Sequence, residues 1–164
     1  MPDEIVTPDD RRFRDVFGHF ATGVTIITAM DGDEPVGMAA NSFTSLSLDP
    51  PLVLFCVAHS STTWPRIEQA RKFAVNILGE EHEELSRLFA QRGADRFGVT
   101  PWHRGVSGSP VLDEAIAYMD CEFEAEYPGG DHKIIVGSVL DLDMREDARP
   151  LLFFRGTYLR IGDP

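Results

Sequence analysis

The sequence predicts a mainly β protein, an antiparallel barrel with a few short peripheral α-helices. Roughly seven apolar, β-branched runs are separated by Gly-, Pro- and Asp-rich turn signals. The helical stretches between them do not alternate regularly with strands, as βαβ units would require. No G-x-G-x-x-G follows a strand, which argues against the doubly wound dinucleotide fold. A run of short antiparallel strands hides its edges by closing on itself.

Each element has a local cause. Asp9 or Asp10 can cap a first helix in which Phe13, Val16, Phe17 and Phe20 recur at helical spacing, so an aromatic stripe should be buried there. Thr22-Gly23 should end that helix. Val24 to Ala29 reads as a strand, Asp31-Gly32-Asp33 as a hairpin turn, and Val36 to Ala40 as a returning strand of low side-chain volume. A Ser/Thr loop from Asn41 to Ser47 follows. Asp49-Pro50-Pro51 then forces extended backbone into a buried strand over Leu52 to Val57. His59 to Thr63 leads into a helix whose early Pro65 needs no amide partner. Phe73 to Leu78 is a strand, and Glu80 to Phe89 a helix with Leu85, Leu88 and Phe89 on one face. Gln91 to Pro110 reads as irregular. Met119 to Tyr127 and Ile134 to Leu142 form a long hairpin about Pro128-Gly129-Gly130-Asp131, and Leu151 to Phe154 with Thr157 to Ile161 closes the chain.

At 164 residues and 43% hydrophobic, the chain suits one core-bearing domain, 13–164, behind an acidic tail, 1–12. Cys56 and Cys121 lie in apolar runs and read as buried thiols of a reducing cytoplasm, not as a disulfide framework. The acidic Met1-Pro2-Asp3-Glu4 start, with no apolar run near the length of about 18 residues that a span needs, is read as neither signal peptide nor membrane segment. A net charge of −12 argues against a nucleic-acid partner. The same excess means that any phosphate must be met locally by hydroxyls, amides or one of the few arginines.

Gly37-Met38-Ala39-Ala40-Asn41-Ser42-Phe43-Thr44-Ser45 carries the most chemistry, because small and hydroxyl side chains let main-chain amides reach the edge of a flat polar ligand. An ordinary Ser/Thr-rich turn has the same composition. Ser60-Ser61-Thr62-Thr63, between a strand and a helix, could converge on a phosphate or simply cap the helix. Arg87, Phe89 and the segment from Arg92 to Phe97, including Arg96, could complete a pocket, although a solvated helix face explains Arg87 equally well. His132 follows Gly130-Asp131 in a turn far along the chain and could hold a nicotinamide amide or a pyrophosphate without donating a proton.

These segments, with Thr22-Gly23-Val24-Thr25 and Phe73-Ala74-Val75-Asn76, resemble the short-chain flavin reductases over about Phe13 to Ile161. The resemblance implies an FMN-binding split barrel of Greek-key type and hydride transfer from NADH or NADPH to FMN or FAD. It further implies a homodimer that supplies reduced flavin to a partner flavin-dependent monooxygenase. It lays Ala40 to Ser45 along the flavin ring and ribityl chain, with Met38 and Ala39 counted among the cofactor contacts, brings Phe89 toward the flavin, and places Gly130, Asp131 and His132 at the nicotinamide site, with Arg14 contributing there. Ser60, Ser61, Thr62 and Arg96 are assigned to the flavin phosphate, and Cys56 is counted among the flavin contacts.

Other chemistries find little support. His19, His59, His82, His103 and His132 show no H-x-x-x-H spacing and no cysteine pair, so no metal site is expected. Gly105-Val106-Ser107-Gly108 lacks the strand-to-helix elbow of G-x-S-x-G and reads as a loop. The rival is a flavin-binding electron carrier similar to the flavoredoxins, which would have no use for a nicotinamide-orienting His132. An oxidase of the pyridoxamine-phosphate type would need a basic substrate-phosphate site.

Overall fold

The computed structural model describes residues 9–162. Helix α1 (Asp10–Phe17) precedes strands β1 (Thr22–Gly23), β2 (Thr25–Asp31), β3 (Glu34–Ala40), β4 (Thr44–Leu48) and β5 (Pro51–Ala58). Helix α2 (Trp64–Ala70), strand β6 (Lys72–Ile77), helix α3 (Glu83–Ala90) and the short strands β7 (Trp102–Arg104) and β8 (Pro110–Leu112) follow. The long β9 (Ala117–Gly129) and β10 (His132–Met144) come next, then β11 (Leu152–Phe154) and β12 (Thr157–Leu159).

Seven strands form one antiparallel sheet in the order β3-β2-β6-β9-β10-β5-β4. The two outermost strands, β3 and β4, are consecutive in the chain and joined only by Asn41-Ser42-Phe43. Laid flat, seven strands would be about 29 Å wide. Four Cα steps reach about 15 Å at most. The sheet must therefore curl until its ends meet, and the result is a barrel split between β3 and β4. Beside that split, Ser42 Oγ donates to Cys56 O (2.9 Å) and accepts from Cys56 N–H (3.0 Å). The β4–β5 register, Thr44 opposite Leu54, places Ser42 opposite Cys56, so the hydroxyl continues the ladder in place of the main chain.

Inside the barrel, Ile27, Val36, Phe55, Phe73, Val75 and Ile135 pack together, and α2 inserts Trp64 and Ile67 among them. Gly137 leaves room for this packing, since a Cβ there would lie 2.6 Å from Phe73 Cζ. A second core lies on the other face of β2, where Val24 and Ile26 meet Leu78, Phe89, Leu112 and Leu151. Buried Asn76 fixes β6 to β2 and β8 beside this second core. Its amide donates to Ile26 O (3.1 Å) and Thr28 Oγ1 (3.0 Å) and accepts from Leu112 N–H (2.9 Å). Buried Asp120 holds the neighbouring Gly105–Gly108 loop by accepting from Ser107 N–H (2.7 Å) and Ser107 Oγ (2.5 Å), which gives that stretch a structural purpose.

Several expectations need correction. The stripe on α1 is not buried: Phe13, Val16, Phe17 and Phe20 are 52–76% exposed, because the helix lies outside both cores. The helix ends at Phe17, with Gly18 as its cap, and Thr22-Gly23 is a short strand paired with β11. Thr44 to Leu48 is a strand, bulged between Ser45 and Ser47, not part of a loop. Helix α3 starts at Glu83 because His82 Nδ1 accepts the Gly79 N–H (2.9 Å) and holds the preceding turn. The region 91–110 contains β7, which pairs with β8 as a local hairpin but is only three residues long, too short to leave a periodic signal. Residues 1–8 of the expected tail lie outside the described residues, and its boundary at residue 12 falls inside α1.

Asn76→Ala should lower stability by about 2–3 kcal/mol, because a buried amide and carbonyl lose their partners while a small cavity opens. A urea titration checks this, with the midpoint falling and the slope unchanged.

Candidate functional site

β3 is an edge strand, and its small residues border three cavities in succession. At Gly37 a space of about 550 Å³ is closed by Thr63, Arg66 and the 93–98 segment. Ala39, Ala40 and Asn41 border a cavity of about 130 Å³ with Ser86, Phe153 and Tyr158. Asn41 and Ser42 also border a space of about 330 Å³ beneath α1. Asn41, Ser42, Thr44 and Ser45 are exposed, whereas Met38 and Phe43 turn inward and pack against the barrel core. The groove thus offers a ligand the main chain of Met38 to Ala40 and the polar groups that follow, not the larger side chains.

Cys56 lies beneath the Ser42 hydroxyl on the outer face of β5. Its neighbours Phe55 and Val57 face the core, while Cys56 is only half-buried. Cys121 differs, since burial, and then the Asp120 carboxylate, pushes its thiol up to about 12. The reading of both as buried thiols therefore holds for Cys121 alone.

At the far end of β5, the ladder sets His132 opposite Ala58. His59 N–H donates to Asp131 O (2.9 Å), so the Gly130-Asp131 turn and the Ser60–Thr62 loop lie side by side. His132 is the first residue of β10, not a turn residue. Its Nδ1 is 2.6 Å from Asp131 Oδ1, and this contact, as a hydrogen bond first and a charge second, holds the Asp131 carboxylate below its ordinary range. A carboxylate at Nδ1 fixes the ring and leaves Nε2 pointing outward. Ser60 and Thr62 are exposed; Ser61 Oγ accepts the Trp64 N–H (3.1 Å) and lies 3.9 Å from Met38 Sδ, so it caps α2 and touches the strand below.

Three expected contacts take other roles. Phe89 is 1% exposed and packs under Gly37, where a Cβ would come within 2.9 Å of its ring, so Phe89 shapes the groove floor from within the second core. Arg96 straps the groove wall by donating to Gly37 O, Gln91 O and Thr63 Oγ1, and burial lowers its pKa. Its guanidinium is thus already engaged. Arg87 pairs with Glu83 (2.7 Å) and lies over the Tyr158 ring, as a solvated helix face would.

Arg14 borders the same cavity as Asn41 and Ser42, whereas His132 lines none of the three spaces along β3. Within one chain, the two residues assigned to nicotinamide are not brought to one cavity. Phe153, Arg155 and Gly156, which were not singled out in the sequence, do border the Arg14 cavity. Their one sequence signal was an arginine placed before glycine in the last hairpin turn.

An open sheet edge of small residues and hydroxyls, running through a split antiparallel barrel, defines a flavin-handling oxidoreductase. No metal-ligating cluster competes with that assignment among the described residues. The chain belongs to the flavin reductase like domain family, which matches residues 17–162. It is 46% identical over 153 residues to the reductase subunit HsaB of a flavin-dependent monooxygenase from Rhodococcus jostii, covering 93% of this chain and 78% of that one. It is 40% identical to the FMN reductase (NADH) SmoA of Agrobacterium fabrum, covering 99% of this chain and 94% of that protein. The NADH:FAD oxidoreductase SgcE6 of Streptomyces globisporus C-1027 superposes with a TM-score of 0.89 at 41% identity, covering 99% and 100% of the two chains.

The different surroundings of the two thiols give a test of where flavin lies. A thiol reagent should label one cysteine per native chain, Cys56, and a second only after unfolding. Saturating FMN should slow labelling of Cys56 at least about fivefold; unchanged labelling would place the ring elsewhere.

Proposed function

We propose that this flavin reductase oxidises NADH, reduces FMN or FAD, and delivers the reduced flavin to a partner flavin-dependent monooxygenase. The observation that carries this reading is the 46% identity, along 93% of the chain, with the reductase subunit of such a monooxygenase. NADH is preferred over NADPH because two of the relatives are named for it, one with FMN and one with FAD. Those names leave both flavins in play.

Bound flavin would supply a hydride acceptor, and the protein's task is positioning, which explains why no catalytic acid stands out. Main-chain groups of Met38 to Ala40, with Asn41, Ser42, Thr44 and Ser45, would hold the ring edge and ribityl chain. Ser60 and Thr62 are free to meet the phosphate, with Ser61 ordering their loop. His132, braced by Asp131 after Gly130, would orient the nicotinamide, and Arg14 would assist from its own cavity.

The working unit in this reading is a homodimer. Leu46, Leu48, Tyr127, Leu140, Leu142 and Met144 are 48–94% exposed on β4, β9 and β10, and a second copy would cover them. None of the described helices is long and apolar enough to cross a membrane. The cytoplasm, with its nicotinamide pool and reduced thiols, is the proposed place of action.

Purified protein mixed with NADH and excess FMN in air should consume NADH, followed at 340 nm, only when flavin is added. His132→Ala should raise KM for NADH about tenfold, a loss of about 1.4 kcal/mol, with flavin affinity unchanged. Tight flavin binding without NADH or NADPH oxidation would overturn the reductase reading in favour of an electron carrier.

A further inference from the structure

Helix α1 carries an apolar face that lies largely open among the described residues. Phe13, Val16 and Phe17 fall on one side of it at helical spacing, Phe20 follows in the turn beyond, and all four are 52–76% exposed. Phe13 and Phe17 stack with centroids 4.4 Å apart. The helix is nevertheless held in place, since Arg155 N–H donates to Gly18 O (2.9 Å) and seats the β11–β12 turn on its cap. A face that is fixed but bare suits a protein partner.

A second bare face lies at one end of the large sheet. Val139 packs against the barrel core, so the alternate residues Leu140, Leu142 and Met144 turn outward. The ladder pairs Ser138 with Leu52 and Leu52 with Ser47, which sets Leu48 at the same end as Leu140. With Leu46, these side chains are 48–94% exposed. Beyond Ser138, β10 has no partner on its β5 side among the described strands, so its edge is open there too.

The two faces differ in charge. Helix α1 has three arginines and two aspartates, and Arg11 and Arg12, immediately before the stripe, form no ion pair among the described residues. Asp49 beyond Leu48, and Glu146 and Asp147 beyond β10, put exposed and unpaired acid at the rim of the sheet face, where Arg145 is engaged by Asp113 O (2.6 Å). Joining like faces about a two-fold axis would set like charges together and leave one patch bare. A two-fold axis also allows the unlike pairing, because a contact from one patch to the other is returned by symmetry. Each copy then covers nine side chains, on the order of 1,000 Å² of apolar surface, against the roughly 800 Å² per partner of a standard interface.

We propose that the stripe of α1 packs on the β4–β10 face of a second copy, with Arg11 and Arg12 at its acidic rim, and that the second copy's α1 does the same in return. The inference rests on the homodimer reading and names the surfaces that join. A helix laid there also covers the open edge of β10, one of the ways in which proteins protect a free strand.

Sedimentation equilibrium of the full chain should show a dimer that weakens with salt. Phe17→Ser and Leu142→Ser should each raise its Kd about tenfold, and the double variant should lose clearly less than the product of the two, because both remove one contact. Neither side chain belongs to a core, so both variants keep the fold. For a direct readout, a tagged Phe17→Cys chain is co-expressed with an untagged Leu142→Cys chain, each also carrying Cys56→Ser, and treated with a short bismaleimide. Cross-linking of the tagged chain to the untagged one is expected. Fully additive losses, or cross-linking of either chain only with its own kind, would overturn the inference while the homodimer reading stands. A monomer at every concentration would overturn the homodimer reading and the inference together.

Discussion

The structure depends on one closure. Two strands at opposite ends of a seven-stranded sheet are neighbours in sequence, and three residues join them. This forces the sheet round into a barrel and leaves a seam whose two lips are not paired main chain to main chain. At the edge of that seam Ser42 extends the β4–β5 ladder by one step with its hydroxyl, using one oxygen to satisfy both polar groups of Cys56. A bulky or apolar residue there would leave a peptide group of β5 unpaired, at a cost typical of an unsatisfied group. The small residues before the seam have the same origin, since Gly37 must pass over Phe89 and Ala39 faces the second core. The constraint that closes the barrel also leaves a low, polar ledge for a flat ligand.

Charge is arranged around that ledge with the same economy. Arg66 is held between Asp31 (2.6 Å) and Glu34 (2.7 Å), Lys133 between Glu68 (2.9 Å) and Glu126 (3.3 Å), and Arg87 against Glu83. These are partly exposed pairs worth little to stability. Their effect is to neutralise basic groups within the body, so that positive charge is left where an arginine forms no such ion pair among the described residues. The Arg14 and Arg155 cavity is such a place. Across a body of net charge −12, a local pair of this kind decides where an anionic ligand can settle.

Most of the fold was legible because its signals are local. The Gly32 hairpin, the Pro65 helix start and the long β9–β10 hairpin each carry their own turn or cap chemistry, and each lies where the sequence puts it. What could not be read is non-local. Phe89 shows the same helical periodicity whether it meets a ligand or a glycine across the core. Arg96 reads as a free cation until its carbonyl partners, brought in from β3 and the end of α3, are known. The α1 stripe has the spacing of a buried face, yet nothing in eight residues says whether a core or a ligand covers it. For the site, the ledge from Met38 to Ser45 and the Gly130–His132 turn stood out by composition. The β11–β12 turn did not, because one Arg-Gly pair carries meaning only once it is seen to border the cavity beneath α1.

The same geometry bears on how firmly a flavin is held. Asn41, Ser42, Thr44 and Ser45 lie in the open, where each hydrogen bond to a ligand replaces one to water and contributes only about 0.5–1.5 kcal/mol. Half-buried Arg96 is spent on carbonyls of the wall. A grip assembled from exposed amides and hydroxyls is broad but shallow, which suits a reductase that must give its reduced flavin to another protein.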